Sequence, residues 1–130
     1  MAKPRKPHSA RSRYNPRRAP GASQPTAIVE LPAVNPLPAP AVPAGVDFTD
    51  AERERWDDFW ASPQAFMVDQ LAAGTVAVML RYQTQLLDGT ASAWVATEYR
   101  HLTEAFGVTP GAMMKLAWKI SEEEGDDDAA

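Results

Sequence analysis

The side chains of this 130-residue sequence that could do chemistry are two histidines, one dense group of acids and one dense group of cations. His101 stands three residues after Glu98 and three before Glu104, so on a helix all three would share one face. A histidine between carboxylates could assist a metal, but further ligands would have to converge from elsewhere. The group therefore reads as a surface ion pair. Glu122, Glu123, Glu124, Asp126, Asp127 and Asp128 crowd the C-terminal end. They lack the spacing of a calcium loop and read as a solvated acidic tail. The sequence has no Cys, which excludes a thiol nucleophile, a disulfide framework and Cys-ligated zinc or iron–sulfur sites. It has no nucleophile-elbow serine, phosphate-binding loop or dinucleotide fingerprint. The expectation is a protein that is not an enzyme, with no cofactor and no metal.

The cations are the stronger signal. Lys3, Arg5, Lys6, Arg11, Arg13, Arg17 and Arg18 fall within the first eighteen residues. Residues 1–46 carry +7−1 = +6, and residues 47–130 carry +6−16 = −10, which together give the net −4. A mildly acidic total thus conceals a basic arm on an acidic body, and such asymmetry points to a nucleic-acid partner. Clustered cations neutralise phosphates with strong salt dependence and little sequence information. Tyr14 is the arm's one aromatic, so base stacking offers a single contact at most. The bland reading of the same residues is a solubilising tail, or one that binds an acidic protein surface, this chain's own tail included.

The elements that would position these groups are helical. Ten of the twelve prolines lie in residues 1–46. They make residues 1–20 a disordered arm and residues 31–46 an extended spacer of polyproline type. The spacer has Leu31, Val34 and Leu37 available to dock on a neighbour. Thr49-Asp50-Ala51-Glu52 fits a capping box opening a helix that Ser62-Pro63 stops. Trp56, Phe59 and Trp60 form its apolar side, and Glu52, Arg53, Arg55, Asp57 and Asp58 its charged remainder. A longer helix runs from about Val68-Asp69 to Asp88-Gly89, with Leu71, Thr75, Val78, Tyr82 and Leu86 as a stripe widened by Val76, Met79, Leu80 and Leu87. Gly74 marks a candidate close helix approach. A third helix spans about Ala91–Phe106 with Trp94, Val95, Tyr99, Leu102 and Phe106 apolar, and Gly107 ends it. Thr109-Pro110 restarts a short helix to about Ile120.

With no alternating strand pattern, the fold class is all-α. It comprises a small helical domain at 47–120 around a central antiparallel hairpin, preceded by the arm and spacer (1–46) and followed by the acidic tail (121–130). A domain of this size buries only about 60% of its surface, and it has no disulfides to compensate. Association is the natural remedy. Trp56, Phe59, Trp60, Val78, Tyr82, Leu86, Trp94 and Tyr99 are the candidate interface residues, to be shared between core and subunit contact. No stretch approaches a membrane span, and Met1–Arg18 lacks the apolar region of a secretory signal.

The order of segments resembles the small terminase subunit of tailed bacteriophages, particularly those of actinobacteria. The residues that carry the likeness are Asn15-Pro16-Arg17-Arg18 in the arm, Glu52 to Trp60 followed by Ala61-Ser62-Pro63-Gln64, and Phe106 to Trp118 with its Gly-hydrophobic-Thr-Pro turn and Leu116-Ala117-Trp118. The likeness covers about Lys3–Trp118. It departs from the family where Gly111-Ala112-Met113-Met114 replace the usual basic residues, leaving only Lys115 and Lys119, and in the acidic tail. The resemblance implies a non-catalytic subunit of the genome-packaging motor, acting in the host cytoplasm. Such a subunit binds double-stranded viral DNA and assembles into a homo-oligomeric ring. It presents the DNA to the large terminase subunit, which holds the ATPase and nuclease. Two other readings stand beside it: a helical protein-interaction adaptor with disordered arms, or a small helix-turn-helix regulator built from the last two helices. A recognition helix with two lysines and no Arg, Asn or Gln is poorly equipped to read base edges.

Overall fold

A computed structural model describes residues 27–122. In order it contains β1 (Val29–Leu31), α1 (Asp50–Ala61), two 3₁₀ turns (Pro63–Met67 and Gln70–Ala72), α2 (Ala73–Leu87), α3 (Ala93–Ala105), α4 (Pro110–Leu116) and β2 (Trp118–Ile120). The molecule is mostly helical, but the all-α expectation needs correcting. β1 and β2 form a two-stranded parallel sheet, with Val29 opposite Trp118 and Leu31 opposite Ile120. Three-residue strands are too short to write an alternating pattern. Parallel strands need a long crossover connection, and here the whole helical body supplies it.

Helix ends follow local chemistry. The Thr49 hydroxyl accepts from the Glu52 amide at 3.1 Å, and a Glu52 carboxylate oxygen accepts from the Thr49 amide at 3.0 Å, completing the capping box. The Asp69 carboxylate accepts from the Leu71 amide and closes a 3₁₀ turn, so regular α2 begins at Ala73 rather than near Val68. Ser92 and Thr109 cap α3 and α4, with Pro110 at the first helical position. The last helix is shorter than expected. Ala117 adopts a left-handed conformation (φ 62°), and Trp118–Ile120 leave the helix to pair with β1.

The core is an aromatic file laid along α1. Phe48, Trp56 and Trp60 meet in tilted contacts with ring centroids 5.7 and 5.6 Å apart, and Phe59 meets Trp60 edge-on and reaches Phe106 at the end of α3. Val76, Ala77, Met79 and Leu80 of α2 close over this file. The stripe of α2 is thus wider than one face needs. Its Val76, Ala77, Met79 and Leu80 are buried, while Val78 and, in the turn before α2, Leu71 are exposed.

Two sequence expectations change. Glu52, expected on the charged surface of α1, is buried with 2% of its area exposed. Its carboxylate accepts from the Thr84 hydroxyl of α2 at 2.6 Å and lies 3.1 Å from Arg81 Nε, a charge contact whose N–H is not aimed along the line. The residues of the spacer from Leu31 onward do not extend away but strap the body. Leu31 is fully buried, Val42 and Val46 pack on the core, and Val34 and Leu37 stay exposed. Asn35 is the fastening. Its backbone amide donates to the Ala61 carbonyl at 3.0 Å and its side-chain amide to the Trp60 carbonyl at 2.8 Å, pairing two of the orphan carbonyls at the end of α1.

Desolvation pushes the Glu52 carboxyl up, but the Thr84 and Thr49 hydrogen bonds and the Arg81 charge together outweigh it and hold it below its ordinary value. A depressed folded-state value gives stability that is present above the unfolded value and lost as pH falls through the folded one. Glu52→Gln is therefore expected to lower stability at pH 7 by about 1–3 kcal/mol. Below the ordinary glutamate range of about 4.3, the wild type loses melting temperature more steeply than the variant. Thermal melts of both proteins across that range check this, and parallel slopes would contradict the assignment.

Candidate functional site

The eight candidate interface residues divide sharply. Trp56 and Trp60 are each 2% exposed and belong to the subunit's own core, so they are corrected from interface to core, because the file along α1 consumes them. Phe59 and Tyr99 are half-buried against that core. Val78, Tyr82, Leu86 and Trp94 remain partly or largely open on the α2–α3 hairpin. Trp94 is 62% exposed, and its ring meets Tyr82 edge-on at 6.2 Å. Leu71, at the other end of the same flank, is 92% exposed. A shallow groove of about 380 Å³ lies beside it, lined by Leu71, Gly74, Val78, Tyr82, Glu98 and Leu102. Gly74 borders open space there, so the close helix approach expected of it is absent.

A separate cleft of about 340 Å³ lies between α1, α2, α3 and the turn before α4. Phe59, Met79, Leu80 and Val108 give it apolar walls, and Arg55, Asp58, Gln64 and Gln83 give it polar ones. The Arg55 guanidinium donates through Nη2 to the Thr84 hydroxyl at 2.7 Å, and it makes no ion pair among the described residues. Its Nε and the Gln83 Oε1 are both buried without a hydrogen-bond partner among the described residues. The Gln83 amide donates to the Tyr99 hydroxyl at 3.2 Å. Sequence reasoning missed this cleft. Its one trace is Arg55 set one helical turn before Phe59, a cation beside an apolar stripe.

The seven basic residues of the arm, Lys3 to Arg18, lie outside the described residues, as do Glu123–Asp128 of the tail. The strand pairing fixes where the described chain begins on the body. Val29 opposite Trp118 places Ile28 beside Lys115 and Lys119 in a groove they share with Met114. Neither lysine forms an ion pair among the described residues. His101 Nδ1 sits 3.9 Å from the Glu98 carboxylate, while Glu104 pairs with Arg100 at 3.8 Å. All four side chains are substantially exposed, and exposed pairs of this kind contribute about 0–1 kcal/mol. Among the described residues no three His, Cys, Asp or Glu side chains gather as metal ligands, and no helix is long and apolar enough to cross a membrane.

Comparison with family models, with curated proteins and with solved structures returned no match to this chain.

The strand pairing at the start of the described chain depends on Gly107. Its φ is +67°, and a Cβ there would collide with the Trp118 ring that begins β2. Gly107→Ala is expected to destabilise by more than about 1 kcal/mol, because it combines a left-handed backbone with a collision. Amide hydrogen exchange should report the loss first at Val29–Leu31 and Trp118–Ile120. Unchanged protection of these strands would refute the role given to Gly107.

Proposed function

We propose that this chain is a non-catalytic DNA-binding subunit that assembles into a ring, in the manner of the small terminase subunits its segment order resembles. One observation carries the reading: the α2–α3 hairpin keeps a row of large apolar side chains uncovered after the core is complete. Leu71, Val78 and Trp94 are exposed on one flank, with Tyr82 between them. Burying a side chain of this kind is worth about 1.5–3 kcal/mol, and an exposed row of them marks an association surface.

The basic arm supports the nucleic-acid half. The body adds two cations, Lys115 and Lys119, in a groove that they share with Ile28 near the start of the described chain. Repeated around a ring, weak arms add as avidity. The acidic remainder keeps DNA from the rest of the surface. In this reading the ring presents viral DNA to a large subunit that performs the hydrolysis and cleavage, and the acidic tail or α4 meets that partner.

Light scattering on the full chain is expected to give a mass several times that of one copy, and a monomer at micromolar concentration would refute assembly. Binding to random-sequence duplex is expected to weaken about 10³–10⁵-fold between 50 and 200 mM salt if each assembly neutralises about 6–10 phosphates. Replacing Lys3, Arg5, Lys6, Arg11, Arg13, Arg17 and Arg18 with Gln is expected to abolish that binding without changing the mass. Salt-independent binding, or full binding by the neutralised arm, would refute the arm's role.

A further inference from the structure

The groove and the cleft share no lining residue, so they are two separate surfaces. A subunit with two different association surfaces makes heterologous contacts, which close into rings or run on as filaments. Resting on the ring reading above, we propose that Trp94 of one copy inserts into the Arg55 cleft of the next, so that each subunit carries the knob on one surface and the hole on the other.

The chemistry of the two surfaces is complementary. An indole buried at an interface needs apolar walls, a hydrogen-bond acceptor for its N–H, and it gains from a cation over its face. The cleft supplies apolar walls in Phe59, Met79 and Leu80. It supplies a carboxylate in Asp58 and a cation in Arg55, which lacks a counter-ion among the described residues. The Gln83 amide, its oxygen without a partner among the described residues, also lines the cleft and can accept from an incoming donor.

At about 340 Å³ the cleft sits at the small end of ligand pockets and suits one ring-bearing side chain. Trp94 is the candidate among the four tryptophans: Trp56 and Trp60 are buried, and the Trp118 ring lies over Gly107. Tryptophan and arginine are also the residue types over-represented where interface energy concentrates. Leu71 and Val78, on the same flank as the knob, extend the apolar contact beyond the cleft mouth.

The test uses two single variants of the full chain, each at an exposed position. Trp94→Ala removes the knob, and Val108→Trp fills the hole from its rim. Circular dichroism with the helical signature of the wild type and a cooperative melt, at a midpoint lowered by the loss of assembly, confirms that both fold. Light scattering is expected to show an assembly larger than a dimer for the wild type, monomers for each variant alone, and dimers for their mixture, since one intact knob and one intact hole remain. Because the chain has no Cys, a Gln64→Cys, Ala93→Cys double variant gives an independent reading. Mild oxidation should convert it to covalent multimers beyond the dimer, while either single cysteine gives none. A wild-type assembly that survives Trp94→Ala, a mixture that stays monomeric, or oxidation that yields no multimers would overturn the knob-and-hole contact and leave the ring reading standing. A monomeric wild type would instead overturn the ring reading, and this contact with it.

Discussion

Glu52 keeps a negative charge in the interior, and α1 and α2 meet around it. A buried carboxylate is tolerated only when its lone pairs and its charge are answered. Here the answers come from three directions: the Thr49 amide at the helix start, the Thr84 hydroxyl one helix away, and the Arg81 guanidinium. Arg81 in turn donates to the Asp47 carbonyl and lies over the Phe48 ring at 5.5 Å. One side chain therefore caps α1, sets the registry of α2 against it and fixes the chain that enters α1. With that crossing set, the aromatic file along α1 has one way to meet Val76–Leu80.

The same crossing produces the two surfaces on which the functional reading rests. Once α2 gives Val76, Ala77, Met79 and Leu80 to the core, its remaining apolar residues face outward beside α3. Arg55 is held by Thr84, the hydroxyl that also serves Glu52, so one wall of the cleft is built from the core's own polar network. Association surface and internal stability share residues. A change in Thr84 would act on both.

The termini follow from the strap. Asn35 fastens the proline-rich chain to the end of α1, and the parallel pairing of β1 with β2 closes the body on itself. The described chain consequently begins at a defined edge, with Ile28 near Lys115 and Lys119. The acidic chain leaves beyond Ile120, at the far end of the same strand pair.

The sequence by itself determined what local chemistry decides. The capping box at Thr49 and Glu52, the stop at Ser62-Pro63, the Gly89 turn and the Thr109-Pro110 restart each rest on neighbours within a few residues, and each stands where those residues put it. The charge division between arm and body was equally legible, because composition alone carries it. Tertiary structure decided what depends on residues far apart. Glu52 and Asn35 look solvated until partners 32 and 25 residues away claim them. The wide stripe of α2 could not say which half the core would take, since α1 chooses by the volume of Trp56 and Trp60. Trp118–Ile120 continue a helical pattern in sequence, yet β1 draws them into a strand, because backbone hydrogen bonds across the molecule outweigh a weak last turn.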